Sequence, residues 1–292
     1  MNNFETIRYE LQEGIATITL NRPDKLNAIN PRMMHELLSV LDHTDRDDEV
    51  RAVVITGSGR AFCAGADISS GAASFDYEKR DNKTRDDALV NGVYRDGGGR
   101  VALRIFDSLK PIIAAINGAA VGAGATMPLA MDIRLASTAA QFGYVFARRG
   151  IVPESAAAWF LPRVVGVSTA IEWCVSGRMI EAQEASERGL VHSTHEPGSL
   201  LPTAQALARE LVANSAPVSV ALTRQMMWRM LGEAHPMAAH QLDSRLIQSL
   251  GPRADAREGV TAFLQRRPPN FTGRVSTDMP DSFPWWEEEQ FE

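Results

Sequence analysis

Two stretches constrain this chain more than any others. RAVVITG (51–57) and IIAAI (112–116) are apolar runs rich in β-branched residues, and they read as strands buried on both faces. Each runs into a glycine-spotted segment, GSGRAFCAGAD (57–67) and NGAAVGAGAT (117–126). CAGAD (63–67) and GAGAT (122–126) put small residues where the chain leaves a strand. Small side chains permit close approach, and backbone N–H groups at such turns are left to donate. Facing each other, the two turns would aim a pair of donors at one oxygen. Tight strand–helix packing would use the same residues.

The rest of the pattern is built around those strands. TIRYEL (6–11) and IATITL (15–20) read as a hairpin through Glu13-Gly14. A helix is expected from Pro31 to about Leu41, a helix from the GAGAT turn through Met131, and a third strand at 133–137. Residues 69–99 are polar, charged and glycine-spotted, which suggests a mobile loop or lid with a helix starting near Arg100. Helical periodicity then covers 154–161, 167–176, 181–188, 198–213, 216–231, 236–250 and 253–266. Strands separated by helices, then helices alone, imply an α/β core with a helical C-terminal subdomain. The end, DSFPWWEEEQFE, carries Trp285 and Trp286 beside acids, aromatics suited to packing on their own chain or a partner subunit.

Composition excludes several classes. With 292 residues, 45% hydrophobic and net charge −6, the chain can bury one large core or two modest ones. Its acidic balance argues against nucleic acid as the main partner. No run of roughly 18 apolar residues spans a bilayer, and the N-terminus has no signal-peptide pattern. Cys63 and Cys174 alone support neither a disulfide framework nor a zinc site, which fits a reducing cytoplasm. The third glycine of a dinucleotide turn would fall too late, at Gly65, and no GxxxxGK[ST] occurs. GVSTA (166–170) has Ala170 where a nucleophile elbow needs glycine. His192 and His195 have metal-ligand spacing but no acidic or cysteine cluster nearby, so a surface loop is expected there.

One acid stands alone in RGIVPESAAAWF (149–160). After Pro153, Glu154 reads either as a first-turn helix residue or as an acid–base group. A helix N-terminus would lower its pKa slightly, whereas burial among Phe142, Phe146, Trp159 or Phe160 would raise it. Asp67 reads as a cap for the segment after it, Asp132 as structural, and Arg148 and Arg149 as solvated or ion-paired.

LNRPDKLNAIN (20–30), RAVVITGSGRAFCAGADI (51–68), AAINGAAVGAGATMPLAMDIRLAS (114–137) and EGVTAFLQRRPPNF (258–271) together resemble the enoyl-CoA hydratase/isomerase, or crotonase, family. The resemblance runs from about residue 5 to 271 and leaves out the 69–99 stretch and the tail. It implies an α/β crotonase-like spiral of ββα turns over residues 1–200, with 69–99 as a lid-like insertion. It further implies a helical trimerisation subdomain at 201–271 and an extension at 272–292. A homotrimer or a hexamer (a dimer of trimers) would act on an acyl-CoA, with coenzyme A part of the substrate and no separate cofactor or metal.

By position, the resemblance implies oxyanion donors at the N–H groups of Ala66 and Ala123, the second a place where glycine is common. Lys25, Ala28, Ala64, Asp67 and Ile68 match positions that cradle CoA. Phe263 and Arg266 match residues that reach CoA from the C-terminal region, often from a neighbouring subunit. The two glutamates of a typical hydratase are replaced by Thr126 and Phe146. Glu154 matches the place where some family isomerases keep a single catalytic glutamate. Double-bond isomerisation of an enoyl-CoA is therefore expected ahead of hydration. The alternatives are acyl-CoA binding without turnover, or a hydrolase or dehalogenase with Asp67 or Glu154 as nucleophile.

Overall fold

The computed structural model describes residues 4–79 and 89–292. It opens with β1 (Ile7–Gln12) and β2 (Ile15–Leu20), an antiparallel hairpin turned by Glu13 and Gly14 at φ 51° and 77°. Two successive left-handed residues match the twist of the flanking strands. Helix α1 (Pro31–Arg46) starts at Pro31, with the Asn30 side chain accepting from Met33 N, and runs past the Leu41 limit read from sequence. Then come β3 (Ala52–Gly57), β4 (Ala61–Cys63), a small hairpin of β5 (Leu89–Val90) and β6 (Val93–Tyr94), and α2 (Gly97–Phe106). Next are β7 (Ile112–Ile116), β8 (Ala119–Val121), a one-turn α3 (Ala123–Thr126), β9 (Ile133–Ser137) and β10 (Gln141–Gly143). The chain continues through α4 (Ala157–Val165), α5 (Val167–Ser176), β11 (Met179–Glu181), α6 (Ala182–Glu187) and β12 (Ser193–His195). It ends in α7 (Pro197–Val212), α8 (Pro217–Arg229), α9 (Met237–Leu250), α10 (Ala254–Gln265) and a tail.

The strands form two layers. The larger sheet runs β1-β2-β3-β7-β9-β12, parallel from β2 onward. The smaller runs β11-β10-β8-β4, with β4, β8 and β10 parallel. Each of the pairs β3–β4, β7–β8 and β9–β10 lays its first strand in the large sheet and its second in the small one. A helical segment follows, so the unit is ββα and its repetition makes a spiral. The step between sheets is tight, because a Cβ on Gly57 would overlap the Ala61 carbonyl oxygen and one on Gly118 that of Arg60.

Apolar packing fixes the helices. Ile18, Leu37, Ile55, Phe62, Ile105 and Trp173 belong to a core between the two sheets and their helices. The opposite face of the large sheet, through Val54, Ile113 and Leu135, takes Leu200, Ala204 and Ala208 of α7. A third cluster joins Val218 and Leu222 of α8 to Leu242 and Leu246 of α9. Arg224 of α8 then ties this end to the core. It pairs with Asp132 at 2.9 Å and donates to the carbonyls of Ile105, Phe106 and Ser108 at the end of α2. Asp132 also accepts from Ile112 N and Trp228 Nε1, the structural role read for it.

Two expectations change. The helix placed near Arg100 begins at Gly97, capped by Asp96, so α2 reaches into the 69–99 stretch. That stretch also holds 3₁₀ turns at Gly71–Ala73 and Tyr77–Lys79 and stacks Tyr77 on Tyr94 at 5.7 Å. Residues 80–88, the centre of the expected lid, lie outside the described residues. The tail packs on its own chain: Phe283 and Trp285 join the α8–α9 cluster. The Arg229 guanidinium lies 3.3 Å from the Trp286 ring centroid and 4.9 Å from that of Phe106. Among the described residues no helix is long and apolar enough to cross a membrane.

Candidate active site

Parallel pairing of β4 with β8 sets the two glycine turns side by side. They interlock backbone against backbone. Gly65 sits at φ 96°, where a Cβ would lie 2.7 Å from Val121 O and 3.5 Å from Ala123 N, and a Cβ on Gly124 would overlap the Cys63 carbonyl oxygen. Only glycine fits such approaches. Most neighbouring amides are spoken for: Asp67 N donates to Ile29 O, Gly122 N to Gly143 O, and Ala125 N and Thr126 N to Gly122 O. Among the described residues the N–H groups of Ala66 and Ala123 have no hydrogen-bond partner. Ala123 is the first residue of α3 and neither alanine has a positive φ, so alanine is unstrained at both places. The two turns therefore pack against each other, and each carries one amide without a partner among the described residues.

Glu154 does not start a helix. Helix α4 begins three residues later, at Ala157, because Ser155 and Ala156 are both left-handed at φ 59° and 52°. Consecutive left-handed residues that carry side chains are strained, and such strain gathers at functional sites. The turn carries the Glu154 side chain onto a different helix. A Cβ on Gly98, in the first turn of α2, would lie 3.0 Å from Glu154 Oε2 and would overlap Ser155 Oγ. Glu154 is half-buried, while Ser155 is fully buried and its hydroxyl lacks a hydrogen-bond partner among the described residues.

Glu154 also lies within electrostatic reach of the donor turns. The Cys63 thiol is pushed up to about 12, chiefly by burial and further by the negative charge of Glu154. Cys63 begins the CAGAD turn, so the acid and the turns share one region. A neutral, buried thiol of this kind resists alkylation in the folded protein.

The Gly98→Ala substitution probes the seat directly. The atoms it would displace are side-chain ends, the Glu154 carboxylate and the Ser155 hydroxyl, and alanine favours a helix over glycine by about 1 kcal/mol. Turnover falls at least about tenfold while the unfolding midpoint holds, since moving a reacting group by about 1 Å costs up to about 10²-fold. Steady-state rates beside a urea titration check this. Unchanged turnover would mean that the carboxylate is not used in the position seen.

The other residues singled out from sequence divide. Thr126 is fully buried and its hydroxyl donates back to Gly122 O at 3.2 Å, and Phe146 is buried. Ala28, Ala64, Asp67 and Ile68 gather around one bridge, in which Ile29 pairs with Ala66, Ala64 N donates to Leu26 O and Ile29 N donates to Gly65 O. Lys25 and Ile68 are exposed there. Asp67 accepts from Arg22 at 2.8 Å and from Ser69 N at 3.1 Å. Burial alone would raise its pKa, but these bonds outweigh it and hold the carboxyl below the usual range. It does cap the following segment.

Phe263 and Arg266 lie at the end of α10, with Phe263 82% exposed. Among the described residues no hydrogen bond, ion pair or ring contact joins either to the turns. His195 sits on β12 with Nε2 2.8 Å from Ser193 Oγ, and no group of three or more potential metal ligands occurs among the described residues. Arg148 is exposed and donates to Ser176 O. A cavity of about 1560 Å³ opens between α8, α10 and the tail, lined by Val218, Trp228, Arg253 and Phe271. It touches neither the turns nor Glu154, and its wall takes in Asp132 and Ile133 beside the helices and the tail.

With this geometry in place, comparison with known proteins is decisive. The model of the enoyl-CoA hydratase/isomerase family matches residues 10–274. The chain belongs to the enoyl-CoA hydratase/isomerase family. This crotonase-family enzyme is 38% identical over 260 residues to an enoyl-CoA hydratase of Alternaria alternata, covering 89% of this chain and 83% of the relative. It is 35% identical over 276 residues to the 1,2-epoxyphenylacetyl-CoA isomerase of Escherichia coli K12, covering 92% and 99%. Its fold superposes on the crystal structure of an enoyl-CoA hydratase from Bacillus anthracis with a TM-score of 0.82 at 28% identity, covering 92% and 100%.

Three residues at the site of this family member escaped the sequence reading: Asp96, Gly98 and Ser155. Asp96 before three glycines is a helix-start signal, hidden in a stretch whose polarity suggested a loop. Nothing in the sequence marks Ser155 and Ala156 as left-handed.

Proposed function

We propose that the protein moves the double bond of an enoyl-CoA thioester, with Glu154 as the single acid–base group. The observation that carries this reading is the seating of Glu154 beside Gly98, in reach of Cys63, with Thr126 and Phe146 in the two places of the hydratase glutamates. The thioester oxygen takes hydrogen bonds from the N–H groups of Ala66 and Ala123. The Glu154 carboxylate removes a proton from C2 of a 3-enoyl-CoA, and the electron pair delocalises onto that oxygen as a dienolate. The same carboxyl group returns the proton at C4 and the conjugated 2-enoyl-CoA forms. Atoms balance within substrate and acid, so coenzyme A enters as part of the substrate and no redox partner is consumed.

Hydration would require a second group to hold and activate water. The Thr126 hydroxyl is directed at Gly122 O and Phe146 has no polar atom to offer. The identity to a hydratase of Alternaria alternata favours hydration as the second reading. Lys25, Ala28, Ala64, Asp67 and Ile68 are assigned to the CoA side of the site. Phe263 and Arg266 are assigned to a neighbouring copy in a trimer or dimer of trimers. Supporting that assembly, Val260, Phe263 and Leu264 are 63%, 82% and 74% exposed on α10. Apolar surface of this kind is a mark of an interface.

The test is a paired assay with 3-enoyl-CoA and 2-trans-enoyl-CoA of several chain lengths, followed by the absorbance of the conjugated thioester. A rise with the 3-enoyl substrate is expected. A fall with the 2-enoyl substrate and no rise with the other would establish hydration instead. Silence on both, with CoA esters still bound, would reduce the protein to a binder.

A further inference from the structure

The strained turn that carries the acid is held by a carboxylate that the proposed reaction does not touch. Asp96 is the N-cap of α2: its Oδ1 accepts from Gly98 N at 3.1 Å and its Oδ2 from Gly99 N at 2.7 Å. The same Oδ2 accepts from Ser155 N at 2.8 Å. One oxygen therefore joins the first turn of α2, where Gly98 makes room for the acid, to the residue directly after Glu154. The Ser155 hydroxyl holds nothing, since it has no partner among the described residues. Within the turn, Ala157 N donates to Glu154 O at 3.0 Å, a bond that is local and does not tie the turn to α2. Two consecutive left-handed residues persist only when their surroundings over-determine them. The bond from Ser155 N is a contact that does so from outside.

We propose that Asp96 is a positioning residue for the acid: its shared Oδ2 clamps the Ser155 turn to α2 and so sets the Glu154 carboxylate over Gly98. The proposal rests on the reading of Glu154 as acid–base group. It differs from ordinary helix capping in what it demands of the side chain. Ser, Asn and Asp cap helices about equally well. A serine hydroxyl is one bond shorter, so it serves the cap amides without spanning to Ser155 N. Asparagine keeps an oxygen at the Oδ2 position and can still accept from both Gly99 N and Ser155 N, giving up only the longer bond from Gly98 N.

The experiment compares Asp96→Ser, Asp96→Thr and Asp96→Asn with wild type on whichever enoyl-CoA the wild type turns over. Asp96→Ser lowers kcat by about 10²-fold, the effect of a misplaced reacting group, with KM within about threefold, and Asp96→Thr does the same. Asp96→Asn stays within about fivefold of wild type. Equal kcat in all three, or a rise in KM alone, overturns the proposal and leaves Asp96 a cap. Should the two short variants fail to fold while Asp96→Asn folds, the proposal is also overturned, because the residue is then structural.

Repeating Asp96→Ser in a Glu154→Gln background separates this inference from the reading beneath it. A group acting through Glu154 adds no more than about twofold there, whereas a full second loss rules the connection out. A Glu154→Gln enzyme as fast as wild type would sink the acid–base assignment itself. A slow one, together with no difference between serine and asparagine at position 96 when Glu154 is intact, sinks only the clamp.

Discussion

The Glu154→Gln enzyme folds like the wild type, binds enoyl-CoA with little change in KM, and turns over about 10²–10⁴-fold more slowly. Glutamine has the same shape, so it occupies the space beside Gly98 that the carboxylate fills. It cannot accept the C2 proton, and Asp67, bound by Arg22 and Ser69 N, is poorly placed to replace it. A loss confined to kcat marks an interaction made at the transition state rather than in binding. A second readout is exchange at C2 in deuterium oxide: the wild type incorporates deuterium into an acyl-CoA and the variant does not. If the glutamine enzyme kept turnover within tenfold and still exchanged, some other group would have to move the proton.

The second large effect is on stability. Arg224 is only 7% exposed, and its guanidinium holds Asp132 and three carbonyls at the C-terminal end of α2. Arg224 shares these carbonyls, since Ile105 O also accepts from Ser108 N and Gln225 Nε2 donates to Phe106 O and Ser108 O. Truncating one side of a buried charge pair leaves the other uncompensated, and such changes cost about 3–5 kcal/mol. Arg224→Ala is therefore expected to lower the unfolding free energy by that much, read as a fall in the urea midpoint at an unchanged slope. Asp132 keeps its bonds from Ile112 N and Trp228 Nε1, which places the loss toward the lower end of that range. A change below about 1 kcal/mol would show that solvent or another side chain caps α2 equally well.

How far the sequence spoke depended on the length and burial of each element. Strands β3 and β7 were legible because every residue of β7 and nearly every one of β3 is buried, giving unbroken apolar runs. Strands β4, β8 and β10 are three residues each and hold mostly alanine, glycine and phenylalanine, too short to show any period. The second sheet was therefore invisible in the residue pattern and entered only through the ββα spiral that the resemblance implies. Pro153-Glu154 ordinarily opens a helix, and only the left-handed Ser155-Ala156 pair delays α4. The importance of Glu154 came from family resemblance, since no local pattern distinguishes it from a first-turn acid. Asp96 needed the fold, because it faces Ser155 across a separation no local window contains.

The interlocked turns have one more consequence. Their two open donors, at Ala66 and Ala123, are main-chain atoms set by Gly65 and Gly124 at points of close approach. No codon change to a side chain deletes an N–H short of proline, whereas a carboxylate such as Glu154 disappears with one. One substitution can therefore add or remove an acid beside these turns and leave both amides in place.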